Sequence, residues 1–161
     1  MVTQAPLRIC DLLVPEHIMV RPAQEHRAGV IAGLLSRMVE SGSLAADRLD
    51  SAQQAIAARE ARGSTAIGGG LAIPHARLSF VHEVSMAFAL LGEGHDFHPI
   101  DASPVRYVLL MLSPESQPAT HLHALTSVPR FFRDSMFLRQ LDVCRTGIAI
   151  HDAFVLMQAR H

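Results

Sequence analysis

Residues 66 to 80 of the 161-residue chain read "AIGGGLAIPHARLSF". Three glycines, a short apolar run and a Pro-His pair surround His75. Glycine gives up the most backbone entropy on folding, and proline removes a hydrogen-bond donor. Such a local arrangement implies that the position of His75 matters. Three familiar chemistries fail here. A phosphate-cradling Walker loop needs Lys-Ser or Lys-Thr after its second glycine, and "GGGLAI" has neither. A dinucleotide fingerprint needs a third glycine where Ile73 stands, and its turn should open a helix rather than an apolar strand. A serine-hydrolase elbow needs a serine between glycines. What remains is a histidine nucleophile: a neutral imidazole has a free lone pair near physiological pH and can form a covalent intermediate, phosphohistidine if the acceptor takes a phosphoryl group. A phosphate there needs hydrogen-bond donors and a second polar group to orient the ring or balance charge. The bland alternative is a solvated histidine in a turn.

A second cluster, "PATHLHALTSV", places His121 and His123 at the start of an expected helix. Residues two apart on a helix do not share a face, so the pair is a poor metal chelate. One of them can enter a site while the other faces elsewhere. His121 falls in the first turn, where free backbone N–H groups favour an anion; the alternative is a polar helix start facing water. Arg59 and Arg62 precede the glycines, either as phosphate ligands or as cations at a helix C-terminus. Ser64 and Thr65 can donate to phosphate or serve as caps and strand-edge residues. His17, His26, His82, His95, His98, His151 and His161 read as solvated surface residues, with adventitious metal binding open at His95 and His98. Asp101, before "ASPV", reads as a turn residue.

The elements that must position these groups follow from periodicity. "HIMV" is a strand stopping at Arg21-Pro22. Val30, Ile31, Leu34, Leu35 and Met38 form the stripe of an amphipathic helix ending near Gly42. Ala45, Leu49, Ala52 and Ile56 give a second helix, ending between Arg59 and Gly63. "TAI" and "LAI" are short strands flanking the glycines. "VSMAFALL" and "VRYVLLML" are near-continuous apolar runs, suited to strands covered on both faces. Helical signals return after "SPESQP". The expected class is α/β, a sheet with helices packed against it in one domain spanning the chain. Apolar residues make up 49% and charged residues 18%, which fits a packed globular protein. A formal net charge of −1 gives no footprint for nucleic acid or an anionic membrane, and no apolar run is long enough to cross a bilayer. No secretory signal opens the chain, and Cys10 and Cys144 sit in no metal or redox spacing, so a reduced, cytoplasmic setting is expected. No triad of metal ligands has suitable spacing.

Taken together, "REARGSTAIGGGLAIPHARL", "FHPIDASPV" and "THLHAL" resemble the enzyme IIA proteins of the bacterial phosphoenolpyruvate-dependent phosphotransferase system, fructose/mannitol type, and most closely their nitrogen-regulatory member. The resemblance covers about residues 12 to 160. It implies a mixed β-sheet flanked by helices, His75 as the phosphorylated residue, His121 as the second active-site histidine, and Arg59 at the phosphate, where Thr65 is a further candidate donor. It also implies an HPr-like phosphocarrier as phosphate donor, with no metal or organic cofactor. The acceptor is a regulatory target protein or, in the transport reading, a IIB domain; a binding module that kept the fold without phosphate is the other alternative. The chain departs from the family pattern at three positions. The usual asparagine of the glycine loop is Gly69, and the glycine that often follows the histidine is Ala76. Pro129 lies within the His121 helix, which is expected to bend or break near Leu125. The glycines and Pro74 are expected to form an exposed loop that lets a partner approach His75.

Overall fold

The computed structural model describes residues 6–23, 26–95 and 103–161. The elements in chain order are α1 (Ile9–Leu12), β1 (Leu13–Val20), α2 (Arg27–Glu40), α3 (Leu49–Ala61), β2 (Ala66–Gly68), β3 (Leu71–Ala72), β4 (His75–Leu78), β5 (Ser85–His95), β6 (Val105–Pro114), α4 (Pro118–Phe131), α5 (Ser135–Val143) and α6 (Gly147–Gln158). The six strands form one mixed sheet in the order β1-β5-β6-β3-β2, with β4 also on β6. β5 and β6 pair antiparallel at its centre; β1 lies parallel to β5, and β3 and β4 lie parallel to β6.

The apolar runs of β5 and β6 are buried on both faces. Met86, Phe88 and Leu90 with Leu109 and Met111 face one layer; Ala87, Ala89 and Leu91 with Val108, Leu110 and Leu112 face the other. The first layer holds α4, α5 and α6 around five phenylalanines, with Phe137 and Phe154 edge-to-face at 5.1 Å and Phe88 and Phe154 at 5.4 Å. The second holds α2 and α3, whose Leu34, Leu35, Met38 and Ile56 fill the space over the small alanines.

β3 and β4 are one strand with an interruption. Leu71 pairs with Tyr107, Ala72 with Val108, His75 with Met111 and Leu78 with Pro114, so the register along β6 does not change across Ile73-Pro74. Pro74 has no N–H for the ladder, but its carbonyl still accepts from Met111 N at 3.0 Å. His75 therefore opens a strand and is half-buried; it is not in the exposed turn expected from Pro-His. The glycines are also elsewhere. Gly68, Gly69 and Gly70 take φ of +94°, +64° and +81°, a run open only to glycine, and fold β2 back antiparallel onto β3. The turn sits at the far end of the strand, roughly 16 Å from His75 at 3.3 Å per residue. Gly70 locks it, its carbonyl accepting from Arg106 N and Tyr107 N at 2.8 and 2.9 Å. Ala76 lies in β4 with no positive φ, so replacing glycine there costs no strain.

The α4 helix runs unbroken across Leu125 and ends two residues past Pro129. The expected break is absent: Pro129 removes one N–H donor, to the Leu125 carbonyl, and only Arg130 and Phe131 follow it in the helix. His98 and Asp101 lie outside the described residues. Three histidines assigned to the surface have structural partners. His26 caps α2, Nδ1 accepting from Gly29 N at 3.0 Å, and His151 Nε2 donates to Cys10 O at 3.0 Å. His17 is only 2% exposed; its Nδ1 donates to Met86 O at 2.9 Å and its Nε2 meets Ser41 Oγ at 2.5 Å.

Burial holds His17 below the usual imidazole range. A histidine whose charge is disfavoured in the folded state binds fewer protons folded than unfolded, so its contribution is full above pH ~6.5 and is lost as pH falls below it. Urea denaturation between pH 7 and pH 5 should therefore show a shallower loss of stability with acid in His17→Gln than in the wild type. Parallel slopes would show that His17 does not titrate on unfolding.

Candidate functional site

A cleft of about 730 Å3 lies alongside the start of β4, bounded by α3, α4 and the residue that follows β6. His75 and Arg77, alternate residues of β4, line it together with Arg59 of α3, Arg62 just past that helix, Glu115 after β6, and His121 of α4. The two imidazoles face each other with ring centroids 5.4 Å apart and planes inclined at 58°.

Each ring is tethered through Nδ1. In the β3–β4 strand the odd-numbered residues turn their backbone groups away from β6. Ile73 N donates to Thr65 O at 3.1 Å, and Ile73 O is met by His75 Nδ1 at 2.7 Å. A carbonyl can only accept, so Nδ1 carries the proton and the lone pair sits on Nε2. His121 Nδ1 lies 2.7 Å from Oγ of Ser113, which is fully buried in β6. With the hydroxyl donating, His121 carries its proton on Nε2, where it can be given to an anion. His121 is the fourth residue of α4 and its own N–H is closed on Gln117 O at 3.1 Å, so its side chain, not its backbone, serves the cleft.

Both rings are held neutral. Burial lowers the His75 pKa, with Arg59 adding to the effect and the Ile73 carbonyl opposing it. His121 is lowered to about 4, chiefly by burial, with His75 and Arg77 nearby. Arg59, Arg62 and Arg77 leave the cleft an electropositive lining around two uncharged imidazoles. Arg59 is steadied at 2.8 Å by the carbonyl of Gly63, which ends the α3 turn at φ +146°.

Of the residues read from sequence, His75, His121, Arg59 and Arg62 come together. Thr65 does not. It is 4% exposed, its Oγ1 donates to Glu60 Oε1, and it does not line the cleft. The Glu60 side chain, 8% exposed, also pairs with Arg27 at 3.1 Å, so Thr65 belongs to the joint between α2, α3 and β2. Arg77, Ser113 and Glu115 were not singled out. The signal for Arg77 was the two-residue period of the strand, which puts it on the side of His75; Ser113 and Glu115 depend on the β6 register and carry no local mark.

The chain belongs to the EIIA 2 family of the phosphoenolpyruvate-dependent sugar phosphotransferase system, which it matches over residues 11–155. Within that family, a nitrogen regulatory protein of Bradyrhizobium diazoefficiens is 32% identical over 151 residues, covering 94% of this chain and 97% of the relative. The fold superposes on nitrogen regulatory protein IIA-Ntr of Neisseria meningitidis with a TM-score of 0.80 at 24% identity, covering 91% of this chain and 98% of that one. It also superposes on the mannitol IIA of Escherichia coli, solved in complex with phosphorylated mannitol IIB, with a TM-score of 0.71 at 17% identity and coverage of 87% and 94%. No helix among the described residues is long and apolar enough to cross a membrane.

Thr65→Val removes a donor from a nearly buried carboxylate, which should lower stability by about 1–3 kcal/mol. Phosphate acceptance by the folded variant should stay at wild-type stoichiometry. A folded Thr65→Val protein that takes up no phosphate would return Thr65 to the phosphate site.

Proposed function

We propose that His75 carries a phosphoryl group on Nε2, received from an HPr-like phosphocarrier, and that the protein acts as a regulator whose partner binding depends on that phosphate. The observation that carries this reading is the 2.7 Å hydrogen bond from His75 Nδ1 to the Ile73 carbonyl. It supplies the nucleophilic tautomer, aims Nε2 into the cleft, and offers a partner for the positive charge that develops on the ring. In the transfer, the lone pair of Nε2 forms the new N–P bond as the donor's N–P bond breaks in line. The bonding electrons return to the donor imidazole, and the Nδ1 proton of His75 stays in place. Bonds made and broken are alike, so what the protein must supply is positioning and charge stabilisation.

Arg59 and Arg77 neutralise the phosphoryl oxygens, and His121 Nε2–H donates one hydrogen bond to them. His121 orients and charge-balances phosphate without carrying it. Two negative charges on His75 also favour a protonated His121. Its pKa of about 4 in the unmodified protein should therefore rise on phosphorylation. The proposed setting is the cytoplasm, with the whole chain acting as one domain.

The regulatory reading draws on the Bradyrhizobium nitrogen regulatory relative, which is covered almost end to end. Transport is the second reading, favoured by the E. coli mannitol IIA whose solved complex holds a phosphorylated IIB. Phosphohistidine adds about two negative charges to the rim of the cleft. A partner docking there must pair or desolvate them, so the two states should differ in affinity by about 1 kcal/mol or more.

With a reconstituted donor system, His75→Ala should take up no acid-labile, base-stable phosphate, and undiminished labelling would refute the assignment. His121→Ala should still accept phosphate but pass it on slowly. Pull-downs with wild type, His75→Ala and His75→Asp should recover different partners. Identical recovery, together with efficient transfer to a sugar-specific IIB domain, would replace regulation by transport. NMR titration should show the His121 pKa rising on phosphorylation; an unchanged value would place it outside reach of the phosphate.

A further inference from the structure

A second recess, of about 410 Å3, lies between α4, α6 and the segment leading into α1. It presents Arg8, His123, Ser127, Arg130 and His161 around a wall that includes Leu7, Ile9 and Phe131. No aspartate or glutamate lines it, although the chain as a whole is formally −1. The phosphoryl chemistry of His75 does not use it: His123 is two residues from His121, about 200° around the helix, so α4 presents one histidine to each cavity. Among the described residues Arg130 takes part in no ion pair. Arg8 meets Asp11 at 3.7 Å, with both side chains more than half exposed, a pairing weak enough to leave its guanidinium available to a ligand. The His161 ring is stacked on the buried Phe131 at 5.8 Å and 26°, so the exposed imidazole is the flat surface of the wall.

We propose that this recess binds a small molecule carrying a phosphomonoester on an apolar or planar body. Two guanidiniums match a phosphate dianion in charge and offer forked N–H donors to its oxygens, with the Ser127 hydroxyl and the two imidazoles as further polar partners. The volume is within the usual range for small-molecule sites, and the combination of an apolar wall with a few converging polar groups is their usual composition. The body packs against Leu7 and the exposed His161 ring while the phosphate lies towards Arg8 and Arg130.

The test is an amide and imidazole NMR titration of the whole chain at low ionic strength, with inorganic phosphate and AMP as probes. Saturable shifts at His123, Ser127, Arg130 and His161 are expected, with AMP at least tenfold tighter than inorganic phosphate. Arg130→Gln and Arg8→Gln should each weaken AMP at least tenfold with the amide spectrum elsewhere unchanged; both side chains are exposed, so neither change threatens folding. Shifts confined to His75, Arg77 and the rest of the phosphoryl cleft would overturn the proposal, as would affinity insensitive to both arginines. Equal weak binding of AMP, phosphate and sulfate would also overturn it, marking a general cation patch.

Discussion

The arrangement depends on one backbone carbonyl. Ile73 sits where the β3–β4 strand has outrun its antiparallel neighbour β2, so its C=O has no ladder partner and takes the Nδ1–H of His75. That bond decides the tautomer, the ring orientation and the nitrogen left to react. A carboxylate plays the corresponding role in the serine-protease triad by holding imidazole and offsetting its positive charge. A neutral carbonyl does so more weakly, which suits the reversible phosphoryl transfer proposed for His75. Pro74 contributes by subtraction: with no N–H of its own, it interrupts the ladder while the constant register keeps His75 opposite Met111.

The sheet makes that bond dependable. β5 and β6 are buried on both faces, so neither can slip by one residue without turning an entire hydrophobic set to the wrong layer. His75 inherits its position from β6, and so does Ser113, which holds the facing His121. The aromatic layer of Phe131, Phe132, Phe137 and Phe154 seats α4 against the same sheet. The other layer seats α3, with Glu60 tying α3 to Arg27 on one side and Thr65 on the other. The two imidazoles thus meet across a cleft whose walls belong to opposite layers and which three arginines line.

Much of this was legible in the chain. Continuous apolar runs with no polar alternation marked β5 and β6 as buried on both sides, and the 3.6-residue stripes marked α2, α3 and the helices after Pro118. The Ile-Pro-His and Thr-His-Leu-His patterns named both histidines, and the order of elements implied the class. What escaped notice depended on pairing across the sheet. Nothing local says that Leu71 to Leu78 is one strand in constant register, so His75 read as a turn residue and the glycines as its neighbours. Thr65 read as a phosphate ligand because its burial is decided by Glu60, five residues earlier on a different element. His17 carries no sequence mark of burial, since its partners are a carbonyl of β5 and a serine after α2. Pro129 read as a helix breaker because its distance from the helix end was not visible in the sequence.

The central claim is that a proton held on Nδ1 by Ile73 makes Nε2 of His75 the nitrogen that receives phosphate. Nitrogen-15 and phosphorus-31 NMR of the phosphorylated, histidine-labelled protein measures this directly through the one-bond coupling between phosphorus and nitrogen. The account predicts a single phosphohistidine with its coupling at Nε2 of His75 and a protonated, hydrogen-bonded Nδ1 on the same ring. Coupling at Nδ1, or at any other histidine, would contradict it.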